Sequence, residues 1–428
     1  MSAARRSGGS ARGRGGRSAT RARAEPGEAR GGGPKRRALS QRGGAIEGAG
    51  AEPEVSQLTA ALAASDGAGA HDLTHGFHSY AARMHPRLAR ELIAAFAQAG
   101  QVVVDPFCGS GTVLIEALVA GCRPIGVDVN PFALRIAALQ SELRRRDERA
   151  RFAATAQAVV EASLERVQTR TRPHTPISRH EQQHYQPHVL LELAGLFEEI
   201  QRVAVEADRR ALEMVFSALL VKFSRQRADT SEYQVDKRIR KGLVSEFFAR
   251  KASELVLRWE ALAESAPPDA AAVHLYDGDA RRLPELLPQR TAADLVLCSP
   301  PYGGTYDYAQ QHARRNAWFG IDPRRWEASE IGARRHQTAH SRARERWDDE
   351  LGAFLNSARA SLAPHGRIIL WLGDAEFAGR RVPADDQVAR LAPQAGLEPI
   401  ARATQQREDA RGGPPRGEHL LLLAPAPR

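Results

Sequence analysis

The sequence predicts an α/β fold, a parallel sheet covered by helices, and three observations predict it. A strand–turn–helix–strand unit occupies residues 101–130. Strand-like apolar runs return after residue 270. Between the two lies a long stretch whose apolar residues recur at helical spacing.

The elements follow in order. Residues 84–100 carry Leu88, Leu92, Ile93 and Phe96 at helical spacing, with Gly100 as a stop. QVVVD (residues 101–105) is β-branched and reads as a buried strand, and CGSG (residues 108–111) as a tight turn. TVLIEALVAG (residues 112–121) reads as a helix ended by Gly121, and RPIGVDVN (residues 123–130) as the next strand. Such a βαβ unit implies parallel strands with the helix packed across them. From residue 132 to about 265, Leu190, Leu193, Phe197 and Ile200 form one helical stripe, and Phe248, Ala252, Leu255, Trp259 and Leu262 another. Both stripes predict a helical core. Strands resume in AAVHLYDGDA (residues 271–280), DLVLCSPPY (residues 294–302), GRIILWLGDA (residues 366–375) and EHLLLLAP (residues 418–425). The expected organisation is a disordered tail (residues 1–68), a first half-domain (69–138), a helical insertion (139–265) and a second half-domain (266–428).

Composition narrows the function classes. With 42% apolar and 26% charged residues, the chain has the composition of a soluble globular protein. No apolar run approaches the ~18 residues a membrane span requires, so no membrane partner is expected. Cys108, Cys122 and Cys298 have no CxxC spacing, which argues against a disulfide framework and a zinc site. A reducing, cytoplasmic setting fits. The formal charge of +10 is local: residues 1–50 carry 12 Lys/Arg and 3 Asp/Glu, and the rest of the chain has a net of +1. The same 50 residues hold 13 of the 36 glycines, too little apolar surface to offset chain entropy. An Arg/Gly arm of this kind attracts nucleic acid by charge or is simply a solvated extension. Glu25 and Glu28 argue against a transit peptide.

The first chemical constellation is Asp105, the glycine turn and Asp128. A strand ending in a carboxylate, then glycines, then a helix, places backbone N–H groups at a helix start and lets a ligand approach the chain closely. A second strand ending in Asp128, about 20 residues on, can accept hydrogen bonds from both hydroxyls of a ribose. The turn lacks GxGxxG and the lysine of a phosphate loop, which argues against a dinucleotide or ATP. Asp105 suits a cation, and S-adenosylmethionine carries an ammonium and a sulfonium.

The second constellation is Ser299, Pro300, Pro301 and Tyr302 at the end of an apolar strand. Two prolines end any ladder and fix an extended turn. A nucleobase amine is a weak nucleophile because its lone pair is delocalised into the ring. Accepting its N–H bonds at the Ser299 hydroxyl and Pro300 carbonyl would aim the lone pair at a methyl donor, with Tyr302 stacking on the base.

DPFCGSGT (residues 105–112), GVDVNP (residues 126–131) and SPPY (residues 299–302) resemble the cofactor, ribose and catalytic motifs of amino-methylating nucleic-acid methyltransferases, above all the cytosine-N4 DNA enzymes. HGFHSYAARMHP (residues 75–86), GGTYDY (residues 303–308) and WLGD (residues 371–374) resemble further segments of that group. The resemblance implies a Rossmann-like class I methyltransferase sheet and S-adenosylmethionine as cofactor. It implies a site in which Asp105, Pro106, Phe107, Cys108, Gly109, Gly111, Thr112 and Asp128 hold that cofactor and Ser299, Pro300, Pro301 and Tyr302 do the chemistry. Asp279 would contact the adenine, with Asp277 as the competing candidate. Nucleic acid is the implied partner, DNA ahead of RNA. The insertion does not lie where target-recognition domains usually do, and RNA guanine-N2 methylases have similar motifs, usually with Asp before the prolines. A catalytically silent nucleic-acid-binding protein is the alternative of another class.

Smaller features are mostly bland. His180, His184 and His188 have helical spacing, but Pro187 argues for a loop, and no metal is expected. The basic stretches 222–242, 314–320 and 334–347 suit phosphate contact as well as a charged surface. Cys298 precedes the catalytic motif but reads as core.

Overall fold

The computed structural model describes residues 43–66, 68–80, 83–227, 234–235, 237–289, 291–303, 307–333, 342–377, 380–407 and 415–427. The elements in chain order are β1 (Gly43–Gly50), α1 (Glu54–Ser65), α2 (Pro86–Phe96), β2 (Val102–Asp105), α3 (Thr112–Val119), β3 (Arg123–Asp128) and α4 (Pro131–Gln140). The helical stretch then gives α5 (Arg146–Thr169), α6 (Arg179–Gln182), α7 (Pro187–Gln201), α8 (Glu206–Phe223) and α9 (Leu243–Ser265). The second half holds β4 (His274–Asp277), α10 (Leu283–Leu286), β5 (Ala293–Cys298), α11 (Tyr308–Gln311), α12 (Ala313–Phe319), α13 (Ala343–Ala360) and β6 (Leu362–Gly373). It closes with β7 (Ala375–Phe377), β8 (Arg380–Val382), α14 (Ala384–Leu391), β9 (Leu397–Arg407) and β10 (Arg416–Pro425).

One eight-stranded sheet carries the fold, in the order β1-β9-β10-β6-β5-β2-β3-β4. β4, β3, β2, β5 and β6 are mutually parallel. Because β5 lies on the opposite side of β2 from β3, the chain reverses direction across the sheet there. This switch point leaves a crevice outside the carboxyl ends of β2 and β5, where open α/β sheets bind ligands. Period-two alternation gives each face its own core. Val102, Val104, Val296 and Ile368 face Leu351, Phe354 and Leu355 of α13. Val103, Leu295, Leu297 and Ile369 face Leu58 and Leu62 of α1, Leu88 and Leu92 of α2, and Val113 of α3.

Two expectations are corrected. The sheet is mixed: β10 is antiparallel to both β6 and β9, and β1 is antiparallel to β9. β9 keeps the direction of β6, and β10 turns back to lie between them, which needs no crossover helix, so the βαβ rule never reaches it. The tail, expected to be disordered to about residue 68, has ordered structure from residue 43. β1 pairs with β9 from Gly43↔Arg407 to Gly50↔Ala401, and α1 buries Leu58, Ala61 and Leu62 completely or nearly so. The two leucines contribute about 1.5–3 kcal/mol each, which a short polar-flanked helix could not gain in isolation. Residues 1–42, which hold the Arg/Gly arm, lie outside the described residues.

α5, α7, α8 and α9 form the helical insertion around their own core of Phe152, Leu193, Phe216, Phe248 and Trp259. Arg144 is buried against it, paired with Asp208 at 2.6 Å and placed over the Trp259 ring at 4.3 Å. Trp318 of α12 also enters this core and donates its indole N–H to Tyr185 Oη at 3.1 Å. The insertion therefore supports the segment that follows Ser299 as well as the sheet.

Candidate active site

The turn after β2 is built by two glycines with left-handed backbones. Gly109 has φ 48°, and a Cβ there would stand 2.9 Å from Tyr80 Cε1. Gly111, with φ 84°, starts α3, and a Cβ there would meet the Ala137 Cα at 3.2 Å. Side chains are excluded at both by sterics and by conformation. Asp128, at the end of β3, clasps this turn: Oδ2 accepts the Gly109 N–H at 2.9 Å, and Oδ1 accepts that of Asn130 at 2.9 Å. Asp105 accepts the Phe107 N–H at 3.0 Å.

These strand ends open into one cavity at the switch point. Asp105, Pro106, Phe107, Cys108, Gly109, Thr112, Asp128, Asp279, Ser299 and Pro301 all line it. The two sequence constellations, far apart in the chain, thus share a wall. Three expected site residues do not line it. Gly111 is turned into the α3–α4 packing, where its role is to start the helix. Pro300 sits between two lining residues, as alternation along an extended segment requires. The Tyr302 ring lies over Gly373 at the end of β6, where a Cβ would be 2.9 Å from Tyr302 Cε2. It packs on the sheet core and does not present its face to the cavity.

Asp279 and Asp277 are separated by the fold. Asp279 lines the cavity, although its carboxylate also holds Arg281, with Nη2 to Oδ2 at 2.5 Å. Asp277 lines a different groove, bordered by α4 and α8. GGTYDY falls partly, at residues 304–306, outside the described residues, as do residues 228–233 and 236 of the first basic stretch and 334–341 of the last. His188 bonds the Ile239 carbonyl at 2.8 Å, away from the other histidines. His180, Glu181 and His184 bring ligand atoms within 4.8 Å of one another, a spacing that could hold an ion, but Arg314 already pairs with Glu181. The Cys298 thiol is fully buried, and burial pushes its pKa well above the ordinary value, so it is no nucleophile.

Other lining residues were not singled out from the sequence. Tyr80, Arg83 and Met84 come from the segment before α2, and Tyr308, Trp326, Ser329, Glu330 and Ile331 from the segment after Ser299. HGFHSYAARMHP offered a local signal for Tyr80, Arg83 and Met84, and GGTYDY one for Tyr308. Tyr80 stacks on Tyr308 at 5.7 Å and 19°.

The electrostatics favour a cation with many hydrogen-bonding groups. Burial pushes the Asp105 carboxyl up to about 8, against the pull of the Phe107 N–H bond and with the help of the Asp128 charge. Burial also raises Asp128 to about 6, against its bonds from Asn130 and Gly109. Four buried polar atoms of the wall have no hydrogen-bond partner among the described residues: Ser110 Oγ, Thr112 Oγ1, Asn130 Nδ2 and Trp326 Nε1. Such groups are costly unless something fills the cavity and bonds them. A ribose-bearing, cationic cofactor fits this donor and acceptor set.

Asp128→Ala is expected to weaken binding of such a cofactor by about 1.5–3 kcal/mol, through loss of charge-assisted bonds. It also strips two backbone N–H groups of their acceptor, so folding should be checked by circular dichroism. Unchanged affinity by calorimetry in a folded variant would refute the ribose assignment.

Residues 57–139 match the protein family described as DNA methylase. Over 63 residues the chain is 36% identical to the type II methyltransferase M.MjaII of Methanocaldococcus jannaschii, covering 15% of this chain and 12% of that protein. Over 65 residues it is 43% identical to the type II methyltransferase M.MvaI of Kocuria varians, covering 14% of each. Over 52 residues it is 42% identical to a tRNA (guanine(10)-N2)-dimethyltransferase of Methanothermobacter thermautotrophicus, covering 12% of this chain and 16% of that protein. The chain thus spans 12–16% of the length of these relatives. The resemblance to amino-methylating nucleic-acid methyltransferases holds over the segment that builds the glycine turn and Asp128, and the fold is α/β with a mixed eight-stranded sheet.

Proposed function

We propose that this chain transfers a methyl group from S-adenosylmethionine to an exocyclic amine of a nucleic-acid base, cytosine N4 in DNA being the substrate that fits best. The observation that carries the reading is the convergence of Asp105, Asp128 and Ser299 on one cavity. When bound, the cofactor supplies an electrophilic methyl group on its sulfonium. Asp105 faces the cationic part of that ligand, Asp128 accepts the ribose hydroxyls, Asp279 is the carboxylate on the adenine side, and Thr112 and Asn130 supply unsatisfied polar atoms. Ser299, which lines the cavity, accepts an amine N–H bond and holds the nitrogen toward tetrahedral geometry, so its lone pair points at the methyl group. The rigid Ser-Pro-Pro turn keeps that aim without reorganisation. A base within a duplex has to be flipped out to enter.

The side chain chooses among bases. A hydroxyl both accepts from an amine and donates to a ring nitrogen. Cytosine has an unprotonated N3 beside its N4 amine, whereas guanine has a protonated N1 beside its N2 amine. Serine therefore suits cytosine, and adenine, with a free N1, also satisfies it. The second reading, an RNA guanine-N2 methylase, is favoured by the similarity to tRNA (guanine(10)-N2)-dimethyltransferases. Incubation with isotope-labelled cofactor, then nucleoside mass spectrometry of DNA and RNA, tests both. N4-methylcytosine in DNA is expected, and N2-methylguanine in RNA would replace the substrate assignment.

The N-terminal arm acts by charge in this reading. Residues 1–42 carry 12 Lys/Arg against 2 Asp/Glu, so their removal takes the formal net charge from +10 to zero. Removal is expected to lower general nucleic-acid affinity and flatten its salt dependence, with turnover at saturating substrate kept. A truncation extended to residue 50 would also delete β1 and confound the result. An unaltered salt slope after removal of residues 1–42 would rule the arm out.

A further inference from the structure

A set of exposed cations outside the cavity lies on the helical insertion, around the end of α8 and the start of α9. Lys222, Arg227, Arg238, Lys241 and Arg250 are exposed there, and none forms an ion pair among the described residues. Neighbouring cations are already committed: Arg240 pairs with Glu246 at 2.6 Å, and Lys237 Nζ caps the end of α8 on the carbonyls of Val221, Lys222 and Gln226. Burial first, and then the Lys222 charge, holds Lys237 below the ordinary lysine range. Lys222 and Lys237 therefore stand close enough for their charges to repel.

The patch has an aromatic centre. Phe247, half-buried on α9, is flanked by Lys222 Nζ at 4.1 Å and Arg250 Cζ at 4.4 Å from its ring centroid. Val235, the residue after the Gln226↔Gln234 bridge, is exposed. The patch is also tied to the candidate active site. The Arg225 N–H donates to the His184 carbonyl at 2.7 Å, and Glu181, one short helix earlier, pairs with Arg314 of α12. α12 directly follows α11, which begins at the cavity residue Tyr308.

We propose that this face of the insertion is the docking surface for the phosphate backbone of the nucleic-acid substrate, positioning it while the cavity performs the chemistry. The proposal rests on the methyltransferase reading above. Cations outside any ion pair among the described residues, two of them set against an aromatic ring, match phosphates interleaved with sugar or base faces. The surface sets register and affinity. It carries no base readout, so its loss affects KM and leaves kcat unchanged.

The test is charge reversal in the full chain: Lys222→Glu, Lys241→Glu and Arg250→Glu together, with the corresponding Gln variants as a milder set. Binding of a fluorescein-labelled mixed-sequence DNA duplex, and of an RNA of the same sequence, is followed by anisotropy across a salt series. S-adenosylmethionine affinity by calorimetry and circular dichroism report on the cavity and the fold. The expected result is at least a tenfold loss of nucleic-acid affinity at moderate salt. The log–log salt slope should become shallower by roughly 3, about 0.9 for each phosphate no longer neutralised. Cofactor affinity should be unchanged, and the Gln set should lose less. Unchanged affinity and slope in the reversed variant, with the parent chain binding normally, overturn the surface assignment alone. A parent chain that binds cofactor but neither nucleic acid overturns the substrate reading and this proposal together. Loss of binding to phosphatidylserine vesicles with nucleic-acid binding intact would assign the face to a membrane and likewise overturn it.

Discussion

Ser299→Ala is expected to reduce methyl transfer by about two orders of magnitude while leaving S-adenosylmethionine affinity unchanged. Losses of that size are typical when one preorganised hydrogen-bonding group is removed from a transition state. Ser299 is the first residue after β5 and lines the cavity, so the substitution removes one oxygen without disturbing the ladder. The substitution keeps the Cβ and the two prolines that follow, so the turn should hold its shape. Single-turnover kinetics with saturating cofactor isolate the chemical step. Full activity in a folded Ser299→Ala protein would overturn the mechanism, whereas a defect confined to cofactor affinity would move Ser299 to the other side of the cavity.

Asp105→Asn is expected to cost about 3 kcal/mol in S-adenosylmethionine affinity above pH 8, more than a hundredfold, and to remove most of the pH dependence near neutrality. Before the cofactor binds, Asp105 titrates at about 8, because burial disfavours its charged form. Near neutral pH the carboxyl is mostly protonated. Arrival of a cation stabilises the carboxylate, so binding releases a proton and affinity rises with pH until about 8. Asp128, raised to about 6, should leave a residual dependence at lower pH in the Asn variant. Calorimetry in buffers of different ionisation enthalpy counts the proton directly, and no proton release in the parent chain would refute the argument.

The same group affects stability with a definite sign. Its folded value lies above the unfolded one of roughly 4, so its contribution to stability is fully present below pH 4 and is lost as pH rises toward about 8. Without cofactor in solution, Asp105→Asn should therefore be more thermostable than the parent above pH 8. An equal or lower Tm there would show that Asp105 is better solvated than its burial indicates.

Much of the candidate site was legible in the sequence because its signals are local. QVVVD ends in its carboxylate, the glycines follow within a few residues, and Asp128 stands at the end of the next strand. A short stretch of chain contains both the strand periodicity and the chemistry, so position in the fold could be read from spacing. Ser299 was legible for the same reason, at the end of a plainly apolar strand. The stripes at Leu193 and Trp259 likewise announced the helical insertion. GGAIEGAG in β1 had no such signal. Its strand identity comes from main-chain pairing with β9, and backbone hydrogen bonds are nearly blind to side chains.

By itself the sequence determined the parallel core, the helical insertion and the chemical type of each strand end. These depend on periodicity and residue type over a few turns of chain. Only the tertiary structure decided which side chains face the cavity. Tyr302 was drawn away because Gly373, on a strand formed much later in the chain, leaves a bare backbone for its ring to cover. Tyr80 closes over Gly109, and Trp326 brings an unsatisfied indole N–H into the same wall. Asp279 and Asp277, two residues apart, enter different grooves. For the two tyrosines the physical reason is common. Each orientation is fixed by packing against a distant segment, and such packing leaves no period in the local sequence.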